Sequence, residues 1–370
     1  MQHPDPPVPP ADPAWVHLGA PAPFGSSDLP PLDVAAALEV ARTWTGPRFL
    51  TGGGSTLALW ELLATTAAGD VAVARALEPT LDARSILDQA RTPTADGAPG
   101  PAVDLPAGLD AASTWGVYAA EAPGTRLAAS PRDGGWRLTG VKPWCSLAGS
   151  LEGGLVTAHL PDGERGLFAV DLRGTGVAVA GEGWVSRGLA EIPSTPVAFD
   201  DAPAAAVGAP GWYLGRPGFW WGGIGVAACW YGGAVGVARR VLEAARQAPE
   251  ARAERLIGVV GLLDEQLADA RRALAAGAAA VDGVDVDGDD APPEPGEGRV
   301  LAKRVRATVA RACDVVLREA ADALGPAPLT QEEAHAKRVA DLAIYVRQHH
   351  PWREAVSLGT AVVGQEGSAW

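Results

Sequence analysis

The spacing of apolar residues changes its period twice along this chain. Between Val71 and Ala90, the residues Val73, Ala76, Leu77 and Leu81 fall three and four apart, the spacing of one helix face. Gly69-Asp70 sits where it would cap that helix, and Asp33 does the same for a helix over Val34–Thr43. Gly52-Gly53-Gly54-Ser55 interrupts the pattern, with Ser55 or Thr56 as the cap of a helix over Leu57–Ala68. From Trp136 to Lys142 large apolar and polar residues alternate, which predicts a half-buried strand. Leu155–Leu160 and Leu167–Leu172 flank Pro161-Asp162-Gly163-Glu164-Arg165-Gly166, a hairpin signal. Val177–Val179 and Pro196–Phe199 add strands, the proline marking an edge or a strand start. After Phe219 the helical period returns. Gly233–Arg246 is the first clear helix, and the apolar run before it extends it. Leu256, Val260, Leu263, Leu267, Ala270 and Leu274 then alternate four and three apart, the seam of a helix in a bundle. A third helix over Val300–Leu324 buries Leu301, Val305, Ala312 and Val316, and a fourth runs from about Gln331 to His349.

Helices, then strands, then helices predict separate domains rather than one mixed sheet. The expected class is a multidomain α+β protein. A Pro-rich segment, extended or poorly ordered, spans 1–32, and an N-terminal helical domain with its linker spans 33–112. A middle β-barrel or sandwich covers 113–210, and a C-terminal four-helix bundle covers 211–370. Ligands often sit where such domains meet.

Composition removes several functions. The 370 residues carry a net charge of −14 and no Lys/Arg-rich run, so no nucleic acid partner is expected. Cys145, Cys229 and Cys313 are too far apart for a zinc site or a disulfide framework and suit a reducing cytoplasm. The start is polar and Pro-rich, unlike a signal peptide, and apolar Trp220–Tyr231 is too short to span a membrane. Thirteen Trp against five Phe and four Tyr is unusual, and most are expected in the core or at interfaces.

Four stretches in order then resemble the acyl-CoA dehydrogenase superfamily. Gly140-Val141-Lys142-Pro143-Trp144-Cys145-Ser146 is similar to its Gly-x-Lys-x-Trp-x-Thr/Ser element. Ala120-Glu121-Ala122-Pro123-Gly124 stands where its Thr-Glu-Pro-Gly turn would be, with Ala120 for the threonine and one extra residue. Val197-Ala198-Phe199-Asp200-Asp201-Ala202-Pro203 resembles the exit from its β-domain, and Gly233–Leu242 resembles its first back-domain helix. Gly69–Arg75 also looks like a front-domain helix start. The resemblance implies a flavin, FAD, whose ring would pack on Trp144 while the Ser146 hydroxyl and nearby backbone N–H groups reach its N5 edge. Ala120, Glu121 and Cys145 would lie beside it. An ordinary strand Trp followed by a turn Ser is the structural alternative.

Asp341-Leu342-Ala343-Ile344-Tyr345-Val346-Arg347-Gln348-His349 is similar to the family's last active-site helix, and ungapped counting puts His349 where many relatives have the catalytic Glu. Periodicity independently puts Leu342, Tyr345 and Val346 on the face of His349, while His350 points about 100° away. Pro351 ends the helix and forces His350 from the α region. The helix dipole would favour a protonated His349, and burial would oppose it. Its roles are a general acid/base or a structural histidine bonded to a backbone carbonyl. The family's other base position maps to about Val226, which is no base.

Some family elements are eroded. The pyrophosphate-reaching Arg-x-x-Phe-Gly reduces to Arg252-Ala253-Glu254-Arg255-Leu256, and Gln-x-x-Gly-Gly reduces to Ala323-Leu324-Gly325-Pro326. The leading expectation is an FAD-dependent oxidoreductase performing α,β-dehydrogenation of an acyl thioester or related small substrate. Electron-transfer flavoprotein is the implied acceptor, and a homodimer or homotetramer the implied assembly. A histidine in place of Glu points also to the monooxygenase branch, which uses reduced flavin and oxygen. A scaffold that has lost FAD is the third reading. No metal is expected: Asp285–Asp290 lacks the spacing of a calcium loop. Gly222-Gly223-Ile224-Gly225 has no strand before it and is no dinucleotide fingerprint, and Cys145 reads as a small filler without a neighbour to activate it.

Overall fold

The computed structural model describes residues 15–92, 103–132, 134–181, 183–216, 218–283 and 297–364. The acidic stretch Asp285–Asp290 therefore lies outside the described residues. Three helices come first: α1 (Val34–Ala41), α2 (Thr56–Gly69) and α3 (Val71–Arg91). The expected caps hold for α1 and α3, where Asp33 accepts from the Ala36 N–H and Asp70 from those of Ala72 and Val73. At α2 the cap comes from elsewhere. The Asp282 carboxylate, 226 residues away, accepts from the Thr56 N–H at 2.8 Å and from its hydroxyl at 2.6 Å.

Residues 15–32 have little regular secondary structure, in keeping with an extended segment, but they are anchored. Trp15, Val16, Leu18 and Phe24 are buried. Glu61 on α2, itself 1% exposed, accepts from the Trp15 indole and from the N–H groups of Leu18, Gly19 and Ala20. A carboxylate buried so deeply needs those donors, and they fix the segment's path.

Seven strands follow: β1 (Trp115–Tyr118), β2 (Leu127–Arg132), β3 (Gly135–Ser146), β4 (Gly153–His159), β5 (Arg165–Asp171), β6 (Val177–Val179) and β7 (Ser194–Ala206). The hairpin expected around Pro161–Gly166 is the antiparallel β4–β5 pair. Pairings run from β4 through β2, β3, β7 and β5 back to β4, with β1 on β4 and β6 on β7, so the sheet closes on itself. β1 and β2 had no clear alternation in the sequence. β1 has only four residues, and β2 carries Pro131.

The chain then returns to helices: the short α4 (Trp212–Gly215), α5 (Gly218–Gln247), α6 (Glu250–Val281), α7 (Glu297–Leu324), α8 (Pro326–Gln331), α9 (Glu333–Tyr345) and α10 (Pro351–Val363). α5 packs against α2, α6, α7 and α9. Its glycines make that possible: a Cβ on Gly232 would lie 2.0 Å from the Ala64 carbonyl of α2. Leu256, Leu263, Ala270 and Leu274 are buried along α6 as the seam predicted. Among the described residues no helix is long and apolar enough to cross a membrane.

Candidate active site

The geometry starts at a break in β3. Lys142 pairs with Val197 and Cys145 with Thr195, so Pro143 and Trp144 together face the single residue Pro196 of β7. This is a β-bulge in which both prolines lie where no ladder N–H is demanded. The extra residue puts Trp144 at φ 59° and leaves its side chain 60% exposed. Cys145 turns inward, fully buried, and its thiol donates to the Lys142 carbonyl. Burial pushes that thiol up to about 12, so it is a filler and no thiolate nucleophile.

Ser146 ends β3. Its hydroxyl lies 2.7 Å from that of Ser194 and accepts from Arg75 Nη2 on α3 at 3.0 Å. Its carbonyl accepts from the Tyr118 hydroxyl at the end of β1. Ala120 and Glu121 follow that strand, with Ala120 exposed. The Glu121 carboxylate takes Lys142 Nζ at 2.8 Å and Arg165 Nη2 at 3.0 Å, with His159 at 3.8 Å. Burial works to raise the Glu121 pKa, but those cations outweigh it and hold the group below the usual range. Lys142 is 1% exposed and also donates to the Thr157 hydroxyl. The Lys of the Gly-x-Lys-x-Trp element thus ties the Glu121 turn to the sheet.

His349 departs from the expected helix. α9 stops at Tyr345, a 3-10 turn covers Val346–Gln348, and His349 is extended at φ −79° and ψ 125°. His350 leaves the α region as expected, and Pro351 opens α10 instead of merely closing α9. The inward position holds nonetheless. His349 is 7% exposed with Nδ1 unpartnered, and its ring centroid is 6.4 Å from that of Trp230 on α5. Of the two opposing influences burial wins: with the Arg306 charge it lowers the pKa and leaves the imidazole neutral at pH 7. Among the described residues no carbonyl accepts from Nδ1.

A line of contacts joins the two places. Arg75 Cζ lies 5.6 Å over the Tyr345 ring, Tyr345 meets the Trp230 edge at 6.1 Å, and Trp230 meets His349. The sequence reading missed Arg75 and its neighbour Glu78. The signal was there: Arg75, Glu78 and Asp82 fall at helical spacing in a stretch whose N-terminal half is otherwise mostly apolar. Pro79 inside α3 brings no N–H to the Arg75 carbonyl and marks the same place. Glu78 is 7% exposed, and burial raises its pKa to about 8.

Arg252 is not part of this assembly. It lines a surface pocket of about 290 Å³ with Arg240, Glu332 and Pro328, between α5, α6 and α8. Three carboxylates, Asp70, Glu191 and Asp341, also gather closely, but Lys337 Nζ lies within 3.0 Å of each and fills the place a cation would take. Val226 is half-buried on α5, and Gly222–Gly225 lie inside that helix rather than in a phosphate loop.

At the level of sequence, no family model and no curated protein matches the chain. Solved structures do. Dibenzothiophene monooxygenase TdsC from Paenibacillus sp. A11-2, bound to FMN and indole, superposes with a TM-score of 0.71 at 17% identity, over 87% of this chain and 88% of that one. KijD3, in complex with FMN and a dTDP-linked amino-keto sugar, gives 0.68 at 18% identity over 91% and 87%. Butyryl-CoA dehydrogenase from Megasphaera elsdenii gives 0.71 at 16% identity over 91% of each chain. These likenesses concern the fold.

Proposed function

From a chain that has the acyl-CoA dehydrogenase fold, we propose a flavin-dependent oxidoreductase that uses reduced flavin and molecular oxygen on a small organic substrate. The observation that carries this reading is His349: a buried, neutral imidazole with an unpartnered Nδ1, at the position that ungapped counting along the family resemblance aligns with a dehydrogenase's carboxylate. The resemblance gives a dehydrogenase a desolvated carboxylate for the weakly acidic proton beside a thioester carbonyl, and this chain has histidine at that position instead. A neutral imidazole is suited to exchanging protons with oxygen atoms near pH 7. TdsC and KijD3, both solved with FMN, support the same direction.

The residues fit such a cofactor. Trp144 offers an exposed indole face at the bulge, and Ser146 offers a hydroxyl already oriented by Arg75 and Ser194. The unpartnered nitrogens of Arg75 and Trp230 lie on the adjoining helices α3 and α5, and that of His349 on the link between α9 and α10. In this reading Trp144 stacks on the ring, Ser146 and the Ala120–Glu121 turn hold its polar edge, and His349 moves the proton. When bound, the flavin supplies the electrons that reduce oxygen. With Arg252 elsewhere and its motif eroded, FMN is favoured over FAD.

One observation favours the second reading, dehydrogenation with an electron-transfer flavoprotein as acceptor: Glu78 is a desolvated carboxyl close to Arg75. Two measurements separate the readings. Reduced FMN mixed with the chain and oxygen should reoxidise differently from free reduced FMN, with product formed when substrate is present. Anaerobic bleaching of oxidised flavin by an acyl thioester would instead establish the dehydrogenase. A chain that neither binds nor perturbs added FMN or FAD would end both readings in favour of a scaffold.

A further inference from the structure

Beside Ser146 and His349, the helices hold charge where a hydrocarbon substrate would need apolar walls. Arg75 contacts Glu78 Oε2 at 3.7 Å through Nη1, an atom that is buried and makes no hydrogen bond. Arg306 of α7 stands 4.7 Å over the Trp230 ring and uses one N–H on the Gly223 carbonyl. Arg75 covers Tyr345 in the same manner, and the two rings meet edge to face, so both guanidiniums flank one aromatic pair. Both also act electrostatically on Glu78. Gly222 lets Asp82 approach: a Cβ there would lie 2.6 Å from Asp82 Oδ1.

The charges do not balance. Lys303 pairs with Glu354, whose charge also acts on Arg306. Arg75, Arg216, Arg306 and Lys303 thus stand against Glu78, Asp82 and Glu354, one positive charge in excess with the acids ionised. Burial pushes Glu78 and Asp82 toward their neutral forms, Glu78 to about 8, and Arg216 partly offsets this at Asp82. With Glu78 protonated at pH 7 the excess is larger. The unpartnered buried groups are mostly donors as well: Arg75 Nη1–H and the Trp230 indole N–H, the latter on a residue with no exposure. Buried donors without acceptors are costly, and excess buried positive charge costs more. A ligand supplying an anionic, planar pair of oxygens removes both costs, because a guanidinium fork matches a carboxylate.

We propose that Arg75, Arg306 and the Trp230 indole bind the carboxylate of the substrate, so the enzyme acts on a small organic acid rather than on a neutral hydrocarbon or a fatty acyl chain. This rests on the flavin reading for the word substrate. The anion site itself stands on the helices alone.

The test is calorimetric titration of the full chain with sodium benzoate, benzamide and inorganic phosphate, each with and without FMN. FMN binding is followed separately by its visible spectrum. Benzoate is expected to bind at least about tenfold more tightly than benzamide, the worth of one charge-assisted contact. Arg306→Met should remove that preference while leaving the benzamide and FMN titrations alone. Arg306→Lys keeps the charge and should keep part of the preference, which covers the case in which the methionine variant does not fold. Equal affinity for benzoate and benzamide, or no saturation by benzoate near 1 mM, overturns the proposal; about 1 mM is the weakest binding worth calling a site. Phosphate binding as tightly as benzoate overturns the carboxylate assignment. If FMN does not bind but benzoate does, the flavin reading fails and the anion site stands.

Discussion

Arg75 on α3 holds the Ser146 hydroxyl on β3 at 3.0 Å, so the residue expected to meet the flavin edge is oriented by a buried cation from the helical front. Removing the guanidinium leaves Glu78 without its nearest positive charge and Ser146 without its Arg75 donor. Arg75→Met is expected to cost about 1–3 kcal/mol in urea denaturation and to weaken FMN binding in spectral titration. Ser146→Ala should weaken FMN binding with a smaller loss of stability. Equal FMN affinity in both variants and the wild type would remove Ser146 and Arg75 from the cofactor site.

Glu78 gives a pH signature. Its folded pKa of about 8 lies above the ordinary 4.5, so between those values the folded chain keeps a proton that the unfolded chain releases. Its contribution to stability is complete below 4.5 and is lost as pH rises through 8. Glu78→Gln stays neutral throughout. The melting temperature of the variant relative to wild type should therefore climb from pH 5 to pH 8.5. Parallel curves would show that Glu78 is ionised in the fold.

For His349 the sign reverses. Burial lowers its pKa below 6.5, so the unfolded chain takes up a proton near that pH while the folded chain resists it. The stability this group contributes is present above pH 6.5 and lost as pH falls through the lowered value. His349→Gln should flatten that acid limb. If His349 is the acid/base, His349→Ala also loses at least about tenfold in turnover, with substrate binding little changed. Unchanged turnover in a folded variant would leave the histidine a packing role.

Much of this site could be read from the chain, and the misses share a cause. The Gly-x-Lys-x-Trp-x-Ser element and the stripe of Leu342, Tyr345 and Val346 are local patterns, and local patterns gave Trp144 its strand and His349 its inward position. The tightening of the last helix turn was hidden because Pro351 acts at N1 of the next helix as well as on the residue before it. Asp282 capping α2 and Glu61 gathering the N-terminal segment act across 226 and 41–46 residues, a range no periodicity reports. Arg75 and Glu78 drew no notice because charged residues on a helix are ordinarily solvated. α3 is covered on most faces, so Glu78, Thr80, Arg84 and Ser85 are buried with its apolar residues.

Glu61 tests that N-terminal anchoring. Changing it to Gln turns one of its two acceptor oxygens into a donor facing N–H groups, which leaves buried donors unpaired. The expected loss is about 2–3 kcal/mol in denaturant, and limited proteolysis should cut within 15–24 first. Unchanged resistance to protease in that segment would show that apolar packing of Trp15, Val16 and Leu18 suffices to hold it.

Lys337 controls how α9 is seated. Its ammonium meets Asp341 at 2.7 Å, Asp70 at 2.9 Å and Glu191 at 3.0 Å, joining the helix before His349 to the cap of α3 and to the β6–β7 connection. Asp341 is 1% exposed and also accepts the Leu189 N–H at 2.6 Å. Lys337→Met removes the cation and leaves three acids together, one of them deeply buried. Part of the strain escapes by protonating a carboxylate, so the loss must grow with pH: about 1 kcal/mol at pH 5 and about 3 kcal/mol at pH 8. Asp341→Asn in the same chain should recover most of the difference at pH 8, because the amide oxygen still accepts from Leu189 without a charge. Urea denaturation of wild type, single and double variants at both pH values measures this. An equal loss at pH 5 and pH 8 would mean that Lys337 acts through the packing of its stem.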